Sequence, residues 1–271
     1  MPELPEVETI RSQLSSVLPF EVKTFTSTRE LAKDVLHTQL KLTDRTFTAA
    51  HRKGKMLDFR LDDGSHLLSH LGMTGTWLIT TTRPTNKHAH LILEGTTPLG
   101  PRYLTYDDPR RFGHMYHLDD AKAQLKLNEL GPDLASPEFT LDFMIAAIKR
   151  MPGRALKVAL LDQKYFAGSG NYIANEICAH ARIRPQRLCA KIKAAEFPLI
   201  FAAIQKVISG AIASGGTTFQ GGYRDTSGEK GLGVSNLVVF WQKTCQLCGI
   251  TPVKKTVLAQ RGTYHCPKCQ K

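Results

Sequence analysis

The chain is 271 residues long, 42% hydrophobic, and carries a formal net charge of +12. That length and composition can build two domains, or one domain with an appended module, and exclude a disordered chain. The positive balance fits a phosphate-rich partner, and the absence of a signal peptide or long apolar run argues against export or a membrane role.

At the N-terminus stands Met1-Pro2-Glu3-Leu4-Pro5-Glu6. Removal of Met1 would expose the secondary amine of Pro2 beside a carboxylate. Such an amine titrates nearer neutrality than lysine. It can attack an electrophilic carbon and pass through an iminium intermediate. The structural alternative is that Pro2 and Pro5 open a helix, since proline suits a first helical turn. Helical spacing of Val7, Ile10, Leu14, Val17 and Leu18 follows and stops before Pro19.

Short β-like runs come next: Phe20–Thr26, Leu40–Thr48, Met56–Leu61, His66–Leu71, Thr76–Thr80, His90–Leu93, Tyr103–Tyr106 and Gly113–Leu118. Short strands separated by turns predict an antiparallel β-sandwich. The texture changes in Gly131-Pro-Asp-Leu-Ala-Ser-Pro137. Beyond it Leu141–Met151, Ala155–Gln163, Tyr172–His180 and Ala194–Ser214 carry helical periodicity, the last with Phe197, Phe201, Ile204, Ile208 and Ile212 on one face. A polar segment from Gly215 to Gly233 contains seven glycines, a composition more often functional than filler inside a compact domain.

The C-terminus holds Cys245-x2-Cys248 and Cys266-x2-Cys269, seventeen residues apart. Each pair places two thiolates on one turn, and two facing turns make a tetrahedral Zn2+ site. Val253–Ala259 and Thr263–His265 read as strands of a zinc-bound hairpin. A reducing compartment argues against disulfides. Four cysteine ligands leave no open coordination position, so the expected cofactor is one structural zinc. Cys178 and Cys189 lack ligand spacing. From Lys243 onward there are six Lys or Arg residues (243, 254, 255, 261, 268, 271) and no acid, which suits a nucleic-acid grip.

Taken together, Met1-Pro-Glu-Leu-Pro-Glu-Val-Glu-Thr9, Asp108-Pro-Arg-Arg-Phe-Gly113, Gly170-Asn171 before a helix, and the four-cysteine hairpin resemble the formamidopyrimidine-DNA glycosylase family over nearly the full length. The resemblance implies an α+β chain of two domains. The first is an N-terminal antiparallel β-sandwich with flanking helices (1–132). The second is a helix–two-turn–helix domain including a lesion-capping loop (133–237), completed by a zinc β-hairpin (238–271). It implies excision of oxidised purines, 8-oxoguanine or formamidopyrimidines, from duplex DNA in base excision repair, with AP lyase activity. Pro2 would attack C1′ of the damaged nucleotide and form an iminium with the opened sugar. β-Elimination and then δ-elimination would leave a one-nucleotide gap. The implied partner is damaged double-stranded DNA, bound by a monomer in the bacterial cytoplasm at the nucleoid, with no membrane.

Residue by residue, the resemblance gives Glu3 proton transfer at the sugar. Glu6 supports that site, or merely complements the helix dipole. Lys55, in the basic turn His51-Arg-Lys-Gly-Lys55, matches the family's catalytic lysine. Met73, Arg110 and Phe112 match the wedge that fills the void left by a flipped base. His88 matches a DNA-contacting position, whereas His90 is expected to face the sheet. Arg154 and Lys157 resemble backbone-binding residues, and Asn171 resembles a phosphate clamp at a helix N-terminus. Arg261, placed at the hairpin tip, matches the arginine that grips phosphates and is assigned to δ-elimination. A guanidinium stays protonated, so its electrostatic role is the stronger expectation.

Three departures stand out. Phe240-Trp-Gln-Lys-Thr244 lacks the family's Tyr-Gly-Arg glycine. Gly170-Asn171-Tyr172-Ile173 inverts the usual Ile-Tyr order. The loop from Thr217 to Leu237 matches only in Thr217 and Thr218. The competing readings are an endonuclease VIII-like enzyme for oxidised pyrimidines, against which Leu4 argues, and a non-catalytic DNA-damage binder, against which Pro2, Glu3 and Lys55 argue.

Overall fold

The computed structural model describes residues 2–220 and 222–271. Met1, whose removal the Pro2 chemistry requires, and Gly221 of the glycine-rich loop lie outside the described residues.

Helix α1 (Leu4–Ser15) begins earlier than its apolar spacing suggests. Pro5 in the first turn has no N–H to leave unpaired, and the Glu6 carboxylate returns to accept from the Glu3 backbone N–H at 2.7 Å. Val7, Ile10 and Leu14 are buried. The helix packs against β2 (Thr46–Lys53), β3 (Met56–Leu61) and β5 (Thr76–Thr80).

The remaining strands are β1 (Phe20–Ser27), β4 (His66–His70), β6 (Ala89–Thr97), β7 (Gly100–Asp107) and β8 (His114–Leu118). They form one sheet in the order β5-β7-β6-β1-β2-β3-β4-β8, every neighbouring pair antiparallel. The sheet doubles over. Trp77 of β5 donates from Nε1 to Ser69 Oγ of β4 at 3.1 Å and meets Phe59 of β3 edge-on at 5.1 Å, although these strands are far apart in sheet order. Ring contacts run Phe20–Phe47–Phe59–Trp77–Tyr106 through the two layers, all fully buried. The expected sandwich is therefore a single folded sheet. Truncating one of these rings to alanine is expected to cost about 3–5 kcal/mol.

The run at Leu40–Thr48 is shifted. A turn with Asp44 at φ 57 precedes β2, and Leu42 is buried as a loop anchor instead of a strand residue. A short helical turn at Leu31–Val35 had no sequence signature. Helix α2 (Asp120–Leu127), N-capped by Asp119, packs on β4 and β8.

The chain divides into two compact units, one running up to Glu129 and joined by Ser214–Leu232, the other comprising Leu130–Ala213 and Gly233–Lys271. The glycine-rich segment thus groups with the sheet and not with the helices that flank it in sequence. Gln13 of α1 donates to Asp225 Oδ2 at 2.7 Å and accepts from the Thr226 backbone at 3.0 Å. The Ile79 N–H of β5 donates to the Thr226 carbonyl at 3.0 Å.

In the second unit, α3 (Leu141–Lys149), α5 (Asn171–His180) and α6 (Phe197–Ala213) build the core, with α6 against both others. The expected helix Ala155–Gln163 is only one turn, α4 (Leu156–Ala159). Residues Tyr172 through Ala179 of α5 are all buried, as for a central helix. Ala194–Ala213 is, contrary to the sequence reading, long and apolar enough by length and composition to cross a membrane. Its buried face, Phe197, Ile200, Ala203, Ile204, Val207, Ile208 and Ala211, nevertheless packs as a core helix of this unit. Strands β9 (Lys254–Leu258) and β10 (Arg261–His265) form the hairpin, turned by Ala259 and Gln260 with φ of 49° and 59°. Two left-handed residues match the twist of a tight hairpin. Arg261 is consequently the first residue of β10, paired with Leu258, and does not sit at the tip.

Candidate functional site

In the first unit, Pro2, Glu3 and Glu6 are buried at the head of α1. The two oxygens of Glu6 have separate tasks. Oε2 accepts from the Glu3 N–H and Oε1 from the Thr217 N–H, each at 2.7 Å. A carboxylate held by two backbone donors acts as a strut, tying the N-terminus to the glycine-rich segment. Gly216, at φ +82, permits that approach: a Cβ there would lie 2.9 Å from Glu6 Cγ and 3.0 Å from its Oε1. Thr217 Oγ1 is buried with no hydrogen-bond partner among the described residues.

Lys55 follows Gly54 (φ 60) in the tight turn between β2 and β3 and is 9% exposed. The β3–β4 register pairs the next residue, Met56, with His70. His70 Nδ1 accepts from the Gly72 N–H at 3.1 Å. Burial, then the charges of Lys55 and His114, push His70 down to about 4. The imidazole is neutral at pH 7, and the sequence reading missed it; the signal was its place one strand across from the basic turn. Nearby, Arg52 pairs with Glu8 at 2.8 Å. Burial alone would raise the Glu8 carboxyl, but the Arg11 and Arg52 guanidinia hold it below its usual value.

Met73, Arg110 and Phe112 come together from two loops organised by fully buried Asp108. Its Oδ1 accepts from Thr74 Oγ1 at 2.7 Å and the Arg110 N–H at 3.2 Å. Its Oδ2 accepts from Tyr106 OH at 3.1 Å and the Gly113 N–H at 3.0 Å. Burial, then the neighbouring Asp108 charge, raise the Tyr106 phenol far above its ordinary value, keeping it a donor. Gly72 (φ +60) lets the loops touch, because a Cβ there would overlap the Phe112 carbonyl. Phe112 is 51% exposed and the Arg110 guanidinium lies 4.6 Å over its ring, while Met73 is half-buried. Asp108 also orders the histidines: its N–H donates to the His88 carbonyl at 3.1 Å and its own carbonyl accepts from His90 Nε2 at 3.2 Å. His90 faces inward as expected; His88 is half-buried.

In the second unit, α5 organises the site. Its first residue, Asn171, donates from Nδ2 to the Gly262 carbonyl at 3.2 Å. Asn175 donates to the Asn171 carbonyl at 2.7 Å and accepts the Tyr264 N–H at 2.7 Å. With the Asn171 amide nitrogen committed to the hairpin, anion attraction at this helix start falls to its backbone N–H groups. Arg261 is exposed beside Gly262, and Arg154 is exposed but paired with Asp162 at 2.7 Å. Lys157 departs from the expectation of a surface grip. It is fully buried, its Nζ donating to Thr263 Oγ1 of β10 at 3.3 Å, on a one-turn helix that packs against α5. Glu176 was also missed. Its carboxylate accepts the N–H groups of Val238, Val239 and Phe240 at 2.7, 3.0 and 2.7 Å. Burial pushes its pKa up to about 7, against the pull of those donors.

The ligand atoms of Cys245, Cys248, Cys266 and Cys269 lie within 4.8 Å of one another, with Cys245–Cys269 and Cys248–Cys266 Sγ pairs at 4.0 Å. Those separations are far too long for disulfides. They match the edges, roughly 3.8 Å, of a tetrahedron with metal–sulfur bonds of about 2.3 Å. The cluster can hold a metal ion. Burial raises Cys178 to about 12 and Cys189 to about 11, leaving inert thiols.

Comparison with known proteins gives a consistent result. The profile described as the formamidopyrimidine-DNA glycosylase N-terminal domain matches residues 1–115, and that of the formamidopyrimidine-DNA glycosylase H2TH domain matches residues 130–221. The chain is 35% identical to the formamidopyrimidine-DNA glycosylase of Cytobacillus firmus over 281 residues, covering all of both chains. It is 37% identical to that of Thermomicrobium roseum, covering 100% of this chain and 99% of the other. Among solved structures, MutM (Fpg) from Thermus thermophilus is 33% identical with TM-score 0.86, covering 99% of this chain and 98% of the other. The Lactococcus lactis Fpg in complex with abasic-site DNA is 27% identical with TM-score 0.88, covering 99% of each chain.

Proposed function

The chain belongs to the formamidopyrimidine-DNA glycosylase family, and from that membership we propose how its own residues carry out the family's reaction. It is a DNA glycosylase with AP lyase activity that removes oxidised purines from duplex DNA in base excision repair. Pro2, freed of Met1, attacks C1′ of the damaged nucleotide through its imino nitrogen, and the C1′–base bond breaks. Glu3 moves a proton at the opening sugar, whose O4′ must be protonated as the ring breaks. The resulting iminium acidifies C2′, so loss of that proton expels the 3′ phosphate; a second elimination expels the 5′ phosphate. Lys55 serves proton transfer or the adjacent phosphate.

The observation that carries this reading is Glu6, whose two oxygens fix the Glu3 and Thr217 backbones. A nucleophile on a fraying chain end would waste the entropy advantage of a positioned attack. Here the end is pinned two ways. Thr217 Oγ1, buried and unpartnered among the described residues, is suited to a polar edge of the extruded base. Met73, Arg110 and Phe112 fill the vacated stack, while the α5 amides, Arg154 and Arg261 hold phosphates. Lys157 supports the hairpin from beneath.

The four cysteines hold a structural zinc, which supplies cross-linking of the hairpin and no open coordination position. The enzyme acts as a monomer on the bacterial chromosome. Strand cleavage on duplexes containing 8-oxoguanine opposite cytosine or thymine glycol tests the substrate. Faster cleavage at 8-oxoguanine is expected; preference for thymine glycol would overturn the oxidised-purine assignment.

A further inference from the structure

Trp241 combines two features that a merely structural residue would not need. Its backbone is left-handed, at φ 60, and 54% of its surface is exposed. The Gln242 N–H donates to the Val239 carbonyl at 3.2 Å, so Trp241 is the third residue of a tight turn, a position that favours glycine. A bulky residue at positive φ is strained, and strain persists where the surroundings enforce it. The enforcement is visible: Glu176 fixes the Val238 amide before the turn and the Val239 and Phe240 amides of its first half.

The indole is also placed among groups suited to a nucleic-acid strand. One side stacks on Phe240, ring centroids 6.1 Å apart and planes 9° apart. Phe240 in turn meets Tyr172, the neighbour of Asn171 at the start of α5, at 6.4 Å. It also meets Tyr264 of β10 edge-on at 4.9 Å, over which Lys255 Nζ lies at 5.7 Å. A row of rings thus connects the exposed indole to the helix start and to the basic hairpin. That hairpin region, from Lys243 onward, contains no acidic side chain.

We propose that Trp241 is a DNA-contact residue whose solvent-facing ring surface packs against a deoxyribose of the bound duplex. Proteins that cover a single strand combine cationic grooves with aromatic rings on which bases stack. In a duplex the bases are already stacked, which leaves the sugar as the apolar surface for such a ring. The strained turn is maintained because it holds the ring outward and rigid. The inference rests on the DNA glycosylase reading and refines it.

The chain has two tryptophans, and Trp77 is fully buried in the sheet core, so Trp241 dominates any solvent-sensitive emission. The zinc-loaded full-length protein is titrated with a duplex carrying a tetrahydrofuran abasic analogue, and binding is followed in parallel by anisotropy of labelled DNA. Wild-type emission is expected to shift or quench with the binding isotherm, and Trp241→Phe to lose that signal. Trp241→Gly is the sharper variant, because glycine relaxes the turn. It should hold or raise Tm, weaken Kd by about five- to tenfold, and leave the cleavage rate at saturating DNA unchanged. DNA binding without any emission change, or Trp241→Gly with wild-type Kd, would overturn the assignment. Absence of wild-type DNA binding by anisotropy would instead strike the glycosylase reading and this inference with it.

Discussion

The two units use the same device for different ends. In each, a buried carboxylate accepts several backbone N–H groups and pins a segment that would otherwise be loose. Glu6 and Asp108 do so in the sheet unit, and Glu176 does so beside α5. What is pinned differs. In the sheet unit the struts fix the buried chain end at Pro2 and Glu3, proposed to carry the chemistry, and the loop that bears Arg110 and Phe112. In the helical unit Glu176 fixes the Val238–Phe240 backbone that leads to the exposed Trp241, over a core in which even Lys157 is buried. Disturbing the first should therefore change rates, and disturbing the second should change affinity.

Four interventions test that division. The largest effect is expected from blocking Pro2: a tag left before it should abolish base release and strand cleavage while leaving DNA affinity near wild type by anisotropy. Next, Cys248→Ser should lose the metal, measured by atomic absorption, and weaken duplex binding by a factor of ten or more, since the four cysteines bracket the hairpin that carries Arg261. Steep weakening of wild-type binding with salt should accompany it. Third, Glu6→Gln replaces one acceptor oxygen by an NH2 that faces a backbone N–H. It should lower kcat by about ten- to a hundredfold, from a lost charged hydrogen bond of about 1.5–3 kcal/mol, with little change in Kd. Equal losses in rate and affinity would break the comparison.

The smallest effect concerns pH. His70, lowered to about 4, is a base whose folded pKa lies below its unfolded value near 6.5. Its contribution is complete above 6.5 and is lost as pH falls towards 4. His51, His114 and His117 are lowered in the same unit, chiefly by burial, and act in the same direction. In the helical unit, Glu176 is raised from 4.5 to about 7, so its contribution is complete below 4.5 and is lost as pH rises through 7. It offsets His180, which burial lowers to about 4. Between pH 7 and 5 the sheet unit should therefore lose protection first by hydrogen exchange, and Glu176→Gln should steepen the acid loss of the helical unit.

Chemistry was legible in the sequence wherever it is local. The two Cys-x2-Cys turns can be read from spacing alone, whereas Pro2-Glu3 and the Asp108–Gly113 motif, though contiguous, take their proposed roles from the family resemblance. Most strands were legible for the same reason, through alternation, while β2 slipped because Leu42 is buried without belonging to a strand. What sequence could not reveal depends on contacts across long separations. The glycine-rich segment groups with the sheet through Gln13, Glu6 and Ile79, some 150 to 210 residues away. Lys157 is buried with its Nζ bonded to Thr263 of β10, more than a hundred residues later. Arg261 moved from tip to strand because two non-glycine residues, Ala259 and Gln260, adopt left-handed backbones.

The central claim is that the Pro2 nitrogen forms the covalent link to DNA. Incubating the mature protein with an 8-oxoguanine duplex in the presence of borohydride, then digesting and sequencing the adduct by mass spectrometry, tests it directly. The account predicts a reduced DNA adduct on the N-terminal peptide, at Pro2. An adduct on Lys55 or any other amine, or strand cleavage with no trapped adduct, would contradict it.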